Sequence, residues 1–259
     1  MGRTAHWCFK RYARAMEIKW MQAIIDVPAD AFELETEFWT AVTGTRRGEV
    51  HPHHPEFLHL VPLSGDMHLE MQRLSDGPAS VHLDLQVEDI PAAVDRAVSL
   101  GATLVAQPGH AVLATPGGMP FCIVPYFGET TRSPVIDAVH PHAVDQICLD
   151  VPATSFATDV EFWRDLTGWE VNESKFDEFC SFRQPQDLPL RILVQRLGAD
   201  DRGPARAHLD ISSGDHREAV VARHRDAGAS LHETDKLWTV MTSPSGLAYC
   251  VTDREPHRW

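Results

Sequence analysis

Several short stretches of this chain alternate polar and apolar residues, and their polar members are of types that can do chemistry. As a strand, MHLEMQ (Met67–Gln72) presents His68, Glu70 and Gln72 on one face and Leu69 and Met71 on the other. VHLDLQV (Val81–Val87) sets His82 and Asp84 against Leu83 and Leu85, and MQAIIDV (Met21–Val27) sets Gln22 and Asp26 against Ala23 and Ile25. Imidazole nitrogen and carboxylate oxygen gathered on one sheet face suit a divalent Zn, Ni, Fe or Mn ion, whereas an amide carbonyl is a weak, neutral ligand. A carboxylate there needs a partner, a metal or water, because burying it alone is expensive. A histidine has a plainer alternative, a hydrogen bond to a neighbouring strand. The run HPHHP (His51–Pro55) lacks regular ligand spacing and is expected to be a solvated loop at the rim of a site. No G-x-S-x-G elbow and no phosphate-binding glycine loop occurs, so hydrolase and kinase chemistry lack support.

The elements that must position these residues come in two copies. QAIIDVPADAFELETEFWTAVTG (Gln22–Gly44) returns as QICLDVPATSFATDVEFWRDLTG (Gln146–Gly168), sharing DVPA, EFW and TG. GPASVHLDL (Gly77–Leu85) returns as GPARAHLDI (Gly203–Ile211), and TPGGMPFCIV (Thr115–Val124) as SPSGLAYCVT (Ser243–Thr252). Such agreement in order marks a duplicated domain. Each copy reads as strand–helix–strands, twice: a helix over Ala31–Val42 stopped by Gly44, strands near Phe57–Val61 and Met67–Arg73, a second helix over Pro91–Leu100, and a last strand at Phe121–Tyr126. The expectation is an α+β fold of two domains with mixed sheets, helices outside and a core in each copy. The first domain is placed at residues 21–127, a linker at 128–143 and the second domain at 144–255. Residues 1–20 read as a basic arm, or as sequence upstream of a start at Met16 or Met21.

The order of landmarks, DVPA, EFW–TG, HLDL and P-x-G-x-x-F/Y-C, resembles the glyoxalase-like domains of the vicinal oxygen chelate superfamily. The resemblance implies paired βαβββ modules whose curved sheets form a cup, in many members around a divalent metal. It carries metal ligation onto Gln22, Glu70 and His82, and implies that Glu70 moves protons. The fourth ligand position falls on Cys122, where relatives carry glutamate. In the second copy the corresponding residues are Gln146, Leu193, His208 and Cys250, without a carboxylate. A free cysteine behaves chiefly as a small buried hydrophobe, so Cys122 and Cys250 are expected to line pockets by packing. Gln146, Arg191, His208 and Trp238 are expected in the second pocket, with Trp169, Phe179 and Met241 as further apolar walls lacking aromatic counterparts in copy one.

Two function classes follow. In one, the first copy is a metalloenzyme of lyase, isomerase or dioxygenase type. In the other, the protein sequesters a small organic molecule without catalysis. Composition narrows the rest. Hydrophobic residues are 43% and charged residues 23%, as in globular proteins, and no apolar run would span a bilayer. With a net charge of −14, nucleic acid is an unfavourable partner. Five scattered cysteines without a CxxC pair suggest reduced thiols and a cytoplasmic protein. The expected partner is a small molecule, with no membrane, and a homodimer stays open.

Overall fold

The computed structural model describes residues 15–51, 53–107, 109–172 and 174–258. The first copy runs β1 (Trp20–Pro28), α1 (Phe32–Thr43), β2 (Arg46–His51), β3 (His54–Val61), β4 (Leu69–Leu74), β5 (Ser80–Val87), α2 (Ile90–Ser99), β6 (Thr103–Ala106), β7 (Ala111–Ala114) and β8 (Pro120–Pro125). The second runs β9 (Ala143–Val151), α3 (Phe156–Thr167), β10 (Val171–Asn172), β11 (Phe179–Phe182), β12 (Arg191–Arg196), β13 (Arg206–Ser212), α4 (Arg217–Asp226), β14 (Ser230–Thr234), β15 (Trp238–Thr242) and β16 (Ala248–Thr252). Both form eight-stranded mixed sheets of the same order, β2-β3-β4-β1-β5-β8-β7-β6 and β10-β11-β12-β9-β13-β16-β15-β14. This is the expected α+β fold, with two βαβββ modules per sheet meeting where β1 pairs antiparallel with β5, and β9 with β13.

Strand alternation decides which side of each sheet is core. Ala23, Ile25, Leu83, Leu85 and Ile123 are fully buried and join the apolar core, whereas Gln22, Asp26, His82 and Asp84 line a cavity on the other face. Helices α1 and α3 end alike, at Gly44 (φ 58°) and Gly168 (φ 73°), left-handed positions that glycine adopts without a Cβ clash.

Two expectations about packing are corrected. The copies do not have separate cores: one continuous cluster of buried apolar residues spans both. Nor do all helices lie outside, because α1 and α3 sit at the seam between the sheets. Phe38 and Trp39 of α1 pack on Tyr249 of β16, and Phe162 and Trp163 of α3 pack on Phe121 of β8. Two buried acids at matching helix positions fasten this seam reciprocally. Glu35 of α1 accepts hydrogen bonds from the Ser245 backbone amide and the Trp39 indole, both at 2.7 Å. Asp159 of α3 accepts from the Gly117 amide at 2.6 Å and the Thr115 hydroxyl at 2.9 Å. The repeated turns TPGG and SPSG are therefore docking points, each capped by the other copy's helix.

The segment expected as a linker carries one isolated bridge, Ile136 to His142, before β9 begins. Its Thr130 and Thr131 amides donate to Asp66, at 2.7 and 2.8 Å. Of the expected basic arm, residues 1–14 lie outside the described residues; Met16 and Ile18 are buried, and the Met16 amide donates to the Leu166 carbonyl at 2.9 Å. Among the described residues no helix is long and apolar enough to cross a membrane.

Candidate functional site: two cups with one floor

Each sheet curls around a cavity, of about 750 Å³ in the first domain and about 480 Å³ in the second. Their floors are built from the central strands in identical register. In the first, Gln22 of β1 stands opposite Asp84 of β5, which stands beside Cys122 of β8. In the second, Gln146 opposes Asp210, which stands beside Cys250. One step along lie His82 and His208.

Each histidine is clamped by carboxylates. His82 Nδ1 lies 2.8 Å from Asp26 Oδ2 and its Nε2 lies 3.4 Å from Asp84 Oδ1. His208 repeats this with Asp150 at 2.8 Å and Asp210 at 3.3 Å, and its Nε2 is 3.5 Å from the Cys250 thiol. Burial alone would push the pKa of His82 down, but the Asp26 hydrogen bond, the Cys122 thiol and the two aspartate charges outweigh it and hold it well above the usual value. His208 is likewise raised against burial by Asp150, Cys148 and Asp210. Burial raises the pKa of Asp84 and of the Cys122 and Cys250 thiols.

The walls differ. Glu70 of β4 faces the first cup, with 14% of its side chain exposed, and pairs across the ladder with His59 of β3 at 3.0 Å; that bond raises the His59 pKa. Its counterpart in the second cup is Leu193. Trp238 of β15 and Phe179 of β11 meet edge to face there, with centroids 5.8 Å apart.

The residues expected as metal ligands, and the polar, cysteine and Trp238 positions expected in the pockets, line the cups. Gln22, Glu70, His82 and Cys122 line the first; Gln146, Arg191, His208, Trp238 and Cys250 line the second. The protein contacts of the three residues implied as metal ligands differ. Gln22 Oε1 accepts from the Gln86 amide at 3.2 Å, Glu70 is bound to His59, and His82 to Asp26. The ligand atoms that converge with His82, within 4.8 Å of one another, belong to Asp84 and Cys122. In the second cup, convergent sets are His208, Asp210 and Cys250, and Cys148, Asp150 and His208.

Sequence reasoning set Asp26 and Asp84 on the polar strand faces but named no aspartate as a site member, although the repeated HLD and DVPA motifs carried all four. Two expected wall residues are elsewhere: Met241 is fully buried in the core and Trp169 packs against it. Met241 is an odd number of residues from Trp238, so the two cannot share a strand face. Phe179 has an aromatic counterpart after all, since Phe57 opposes Gln72 as Phe179 opposes Gln195. The histidine run is a hairpin at the rim, with His51 and His54 lining the first cup and their rings 5.2 Å apart.

A glyoxalase-like domain model matches residues 22–124 and again 146–252. No curated protein sequence matches the chain. Among solved structures, the Mn(II)-bound glyoxalase from Novosphingobium aromaticivorans superposes with a TM-score of 0.63 at 16% identity, covering 93% of this chain and 83% of that one. The 2,2′,3-trihydroxybiphenyl 1,2-dioxygenase from Sphingomonas wittichii strain RW1 gives 0.63 at 13% identity, covering 92% and 90%. Homoprotocatechuate 2,3-dioxygenase from Brevibacterium fuscum, in complex with 3,4-dihydroxyphenylacetate, gives 0.64 at 13% identity, covering 92% and 81%. At these identities the likeness is one of fold. Matched over both halves, and built as two cups of paired βαβββ modules, the chain belongs to the glyoxalase-like domain family.

Proposed function

We propose that the first cup binds a small organic molecule through its oxygen atoms over a divalent metal held by His82, Asp84 and Cys122, for lyase, isomerase or dioxygenase-type chemistry. The observation that carries this reading is an orphan: Asp84 Oδ1 is buried without a hydrogen-bond partner, although His82 Nε2 and the Cys122 thiol stand beside it. A cation there would satisfy the carboxylate, and the imidazole, carboxylate and thiolate donors suit Zn, Fe, Ni or Mn. Bound, the metal would act as a Lewis acid on vicinal ligand oxygens.

The protein supplies the rest. Asp26 accepts from His82 Nδ1 and fixes the ring so that Nε2 points to the shared centre. Glu70, on β4 two strands from His82, would take a proton from a ligand in the cup, with His59 beside it at 3.0 Å. In the second cup Leu193 stands where the first has Glu70. Expected in cells is a cytoplasmic protein with a small-molecule partner.

A second reading, sequestration without a metal, is favoured by the protein contacts already made by Gln22, Glu70 and His82. Elemental analysis of protein purified without tag or chelator separates the two. The metal reading expects near one equivalent per chain, lost in Asp84→Asn and in His82→Ala and kept in His208→Ala. No metal after reconstitution with Mn, Fe, Ni or Zn overturns it. Loss in Glu70→Gln with retention in Asp84→Asn would move the site to Gln22, Glu70 and His82.

A further inference from the structure

We infer that the second cup is a separate binding site for a planar aromatic acid, with Arg191 receiving the carboxylate and the Trp238–Phe179 pair receiving the ring. This goes beyond the metal reading of the first cup and does not depend on it.

Arg191 opens β12 on the cup face, directly opposite Gln146 of β9. Its guanidinium makes no hydrogen bond and no ion pair with any described residue, although other cations around it are engaged. Arg254 pairs with the buried Asp145, and Arg217 with Asp253 at 3.0 Å. Burial, reinforced by the positive charge of Arg254, lowers the Arg191 pKa, while Asp145 and Asp210 act in the opposite sense. A sheltered guanidinium presenting a planar fork of donors is matched by a carboxylate, which can accept two parallel hydrogen bonds. Asp210 on the floor carries a like charge to such a ligand, and His208, its imidazolium 3.3 Å away, offsets it. Lys175 also lines the cup, and makes no ion pair among the described residues.

The first domain shows that this arrangement is particular to the second. Carried one residue beyond its first pair, Ala23 with Leu69, the β1–β4 register sets His68 against Gln22, as Arg191 stands against Gln146. His68 is turned out of the cup: Val144 O lies 2.9 Å from its Nε2 and the Ser133 hydroxyl 3.3 Å from its Nδ1. Val144 of β9 and Ser133 thus hold this side chain in the first domain, whereas Arg191 lines the second cup.

Shape supplies the other half of the argument. Four strands separate β11 from β15 in the sheet order, which would hold Phe179 and Trp238 roughly 24 Å apart on a flat sheet. Their rings are nevertheless 5.8 Å apart at 82°, so the sheet curls until its two flanks touch. Phe176 adds a further perpendicular ring, 6.3 Å from Phe179. Perpendicular aromatic walls accept a flat ring by stacking on one face and meeting another edge-on. The cavity left beneath, about 480 Å³, has room for a single-ring or two-ring acid.

Calorimetric titration of the full chain with phenylacetate, 2-naphthoate and the neutral analogue phenylacetamide tests this. We expect phenylacetate to bind at least about tenfold tighter than phenylacetamide. Arg191→Gln should weaken acid binding about tenfold and leave the amide unchanged, and Arg191→Lys should recover part of the loss. Circular dichroism and the metal content of the first cup, unchanged in both variants, show that the fold and the other site are intact. Should Arg191→Gln fail to fold, the acid-to-amide ratio of the unaltered protein still decides. Equal affinity for acid and amide, or no acid binding up to about 10 mM, overturns the proposal.

Discussion

The two cups share a floor and differ in their walls. Asp26, His82, Asp84 and Cys122 in the first correspond to Asp150, His208, Asp210 and Cys250 in the second, with histidine-to-carboxylate distances agreeing within 0.1 Å. Around that floor, Glu70 becomes Leu193 and His110 becomes Trp238, and Arg191 enters the second cup where its counterpart His68 is turned out of the first. The first set of walls offers carboxylate oxygen and imidazole; the second offers a guanidinium and an indole. On the two proposals above, ligand preference would reside in side chains on the strands flanking the centre, a cation in the first cup and an anion in the second, over the same histidine–aspartate pair.

The comparison assumes that both cups are held by one frame, and the seam tests that assumption with the largest expected effect. Replacing Glu35 with Ala strands the Ser245 amide and the Trp39 indole, and Asp159→Ala strands the Gly117 amide and Thr115 hydroxyl. Each loss should cost about 2–5 kcal/mol, because a buried donor left unpaired costs about 1–3 kcal/mol and two are stranded each time. Both variants should still melt in a single calorimetric transition, with both cups lost together. Separate transitions would mean two independent domains and would break the comparison at its base.

A smaller effect comes from one place where the frame itself is unequal. His224 of α4 is buried at the seam, where α2 carries Ala97. Its Nδ1 lies 3.0 Å from the Tyr249 hydroxyl, and it packs beside Phe38 and His142. Burial, then the charges of His142 and Arg223, push its pKa down to about 3 from 6.5. Tyr249 and His142 are also shifted by burial, and Asp137 neutralises Arg223. The depressed folded value means that the unfolded chain takes the proton first. Stability from neutral His224 is thus complete above pH 6.5 and is lost as pH falls toward about 3, by up to about 5 kcal/mol. Chemical denaturation at several pH values should show a shallower loss in His224→Gln than in the unaltered chain. An unchanged slope would show that this histidine is not held neutral.

Much of the frame was legible in the sequence because it repeats. Glycines 44 and 168 marked helix ends, and alternation in VHLDLQV placed His82 and Asp84 on the face where they are found. Relations between the copies were not legible. Glu35 and Asp159 looked like ordinary acidic residues on amphipathic helices, because their partners lie about 210 and 42 residues away in sequence. The single core was hidden for the same reason: periodicity shows that a face is apolar, not which sheet covers it. The short strand β2 went unrecognised, since Arg46–His51 carries one large apolar residue, Val50, and that is exposed. The Trp238–Phe179 contact depends on how far the sheet curls, a property spread over eight strands rather than written in any one.

The smallest effect concerns that contact. Trp238 closes the second cup from β15, and His110 occupies the corresponding place in the first. If the indole is a wall, then Trp238→Ala should weaken aromatic-acid binding while leaving the preference for acid over amide intact, since Arg191 is untouched. Aromatic packing beyond area burial is worth about 0.5–1.5 kcal/mol, so the affinity should fall roughly two- to tenfold. Fluorescence separates this from a general loosening: ligand quenching should diminish in Trp238→Phe, which keeps a ring but removes the indole. The converse variant, His110→Trp, puts an indole in the first cup opposite Phe57 but supplies no guanidinium. It should not bind phenylacetate more tightly than the unaltered first cup does, because an aromatic wall without an anion receptor reproduces only half of the second site. Tight acid binding by His110→Trp would show that the indole, and not Arg191, sets the difference between the cups.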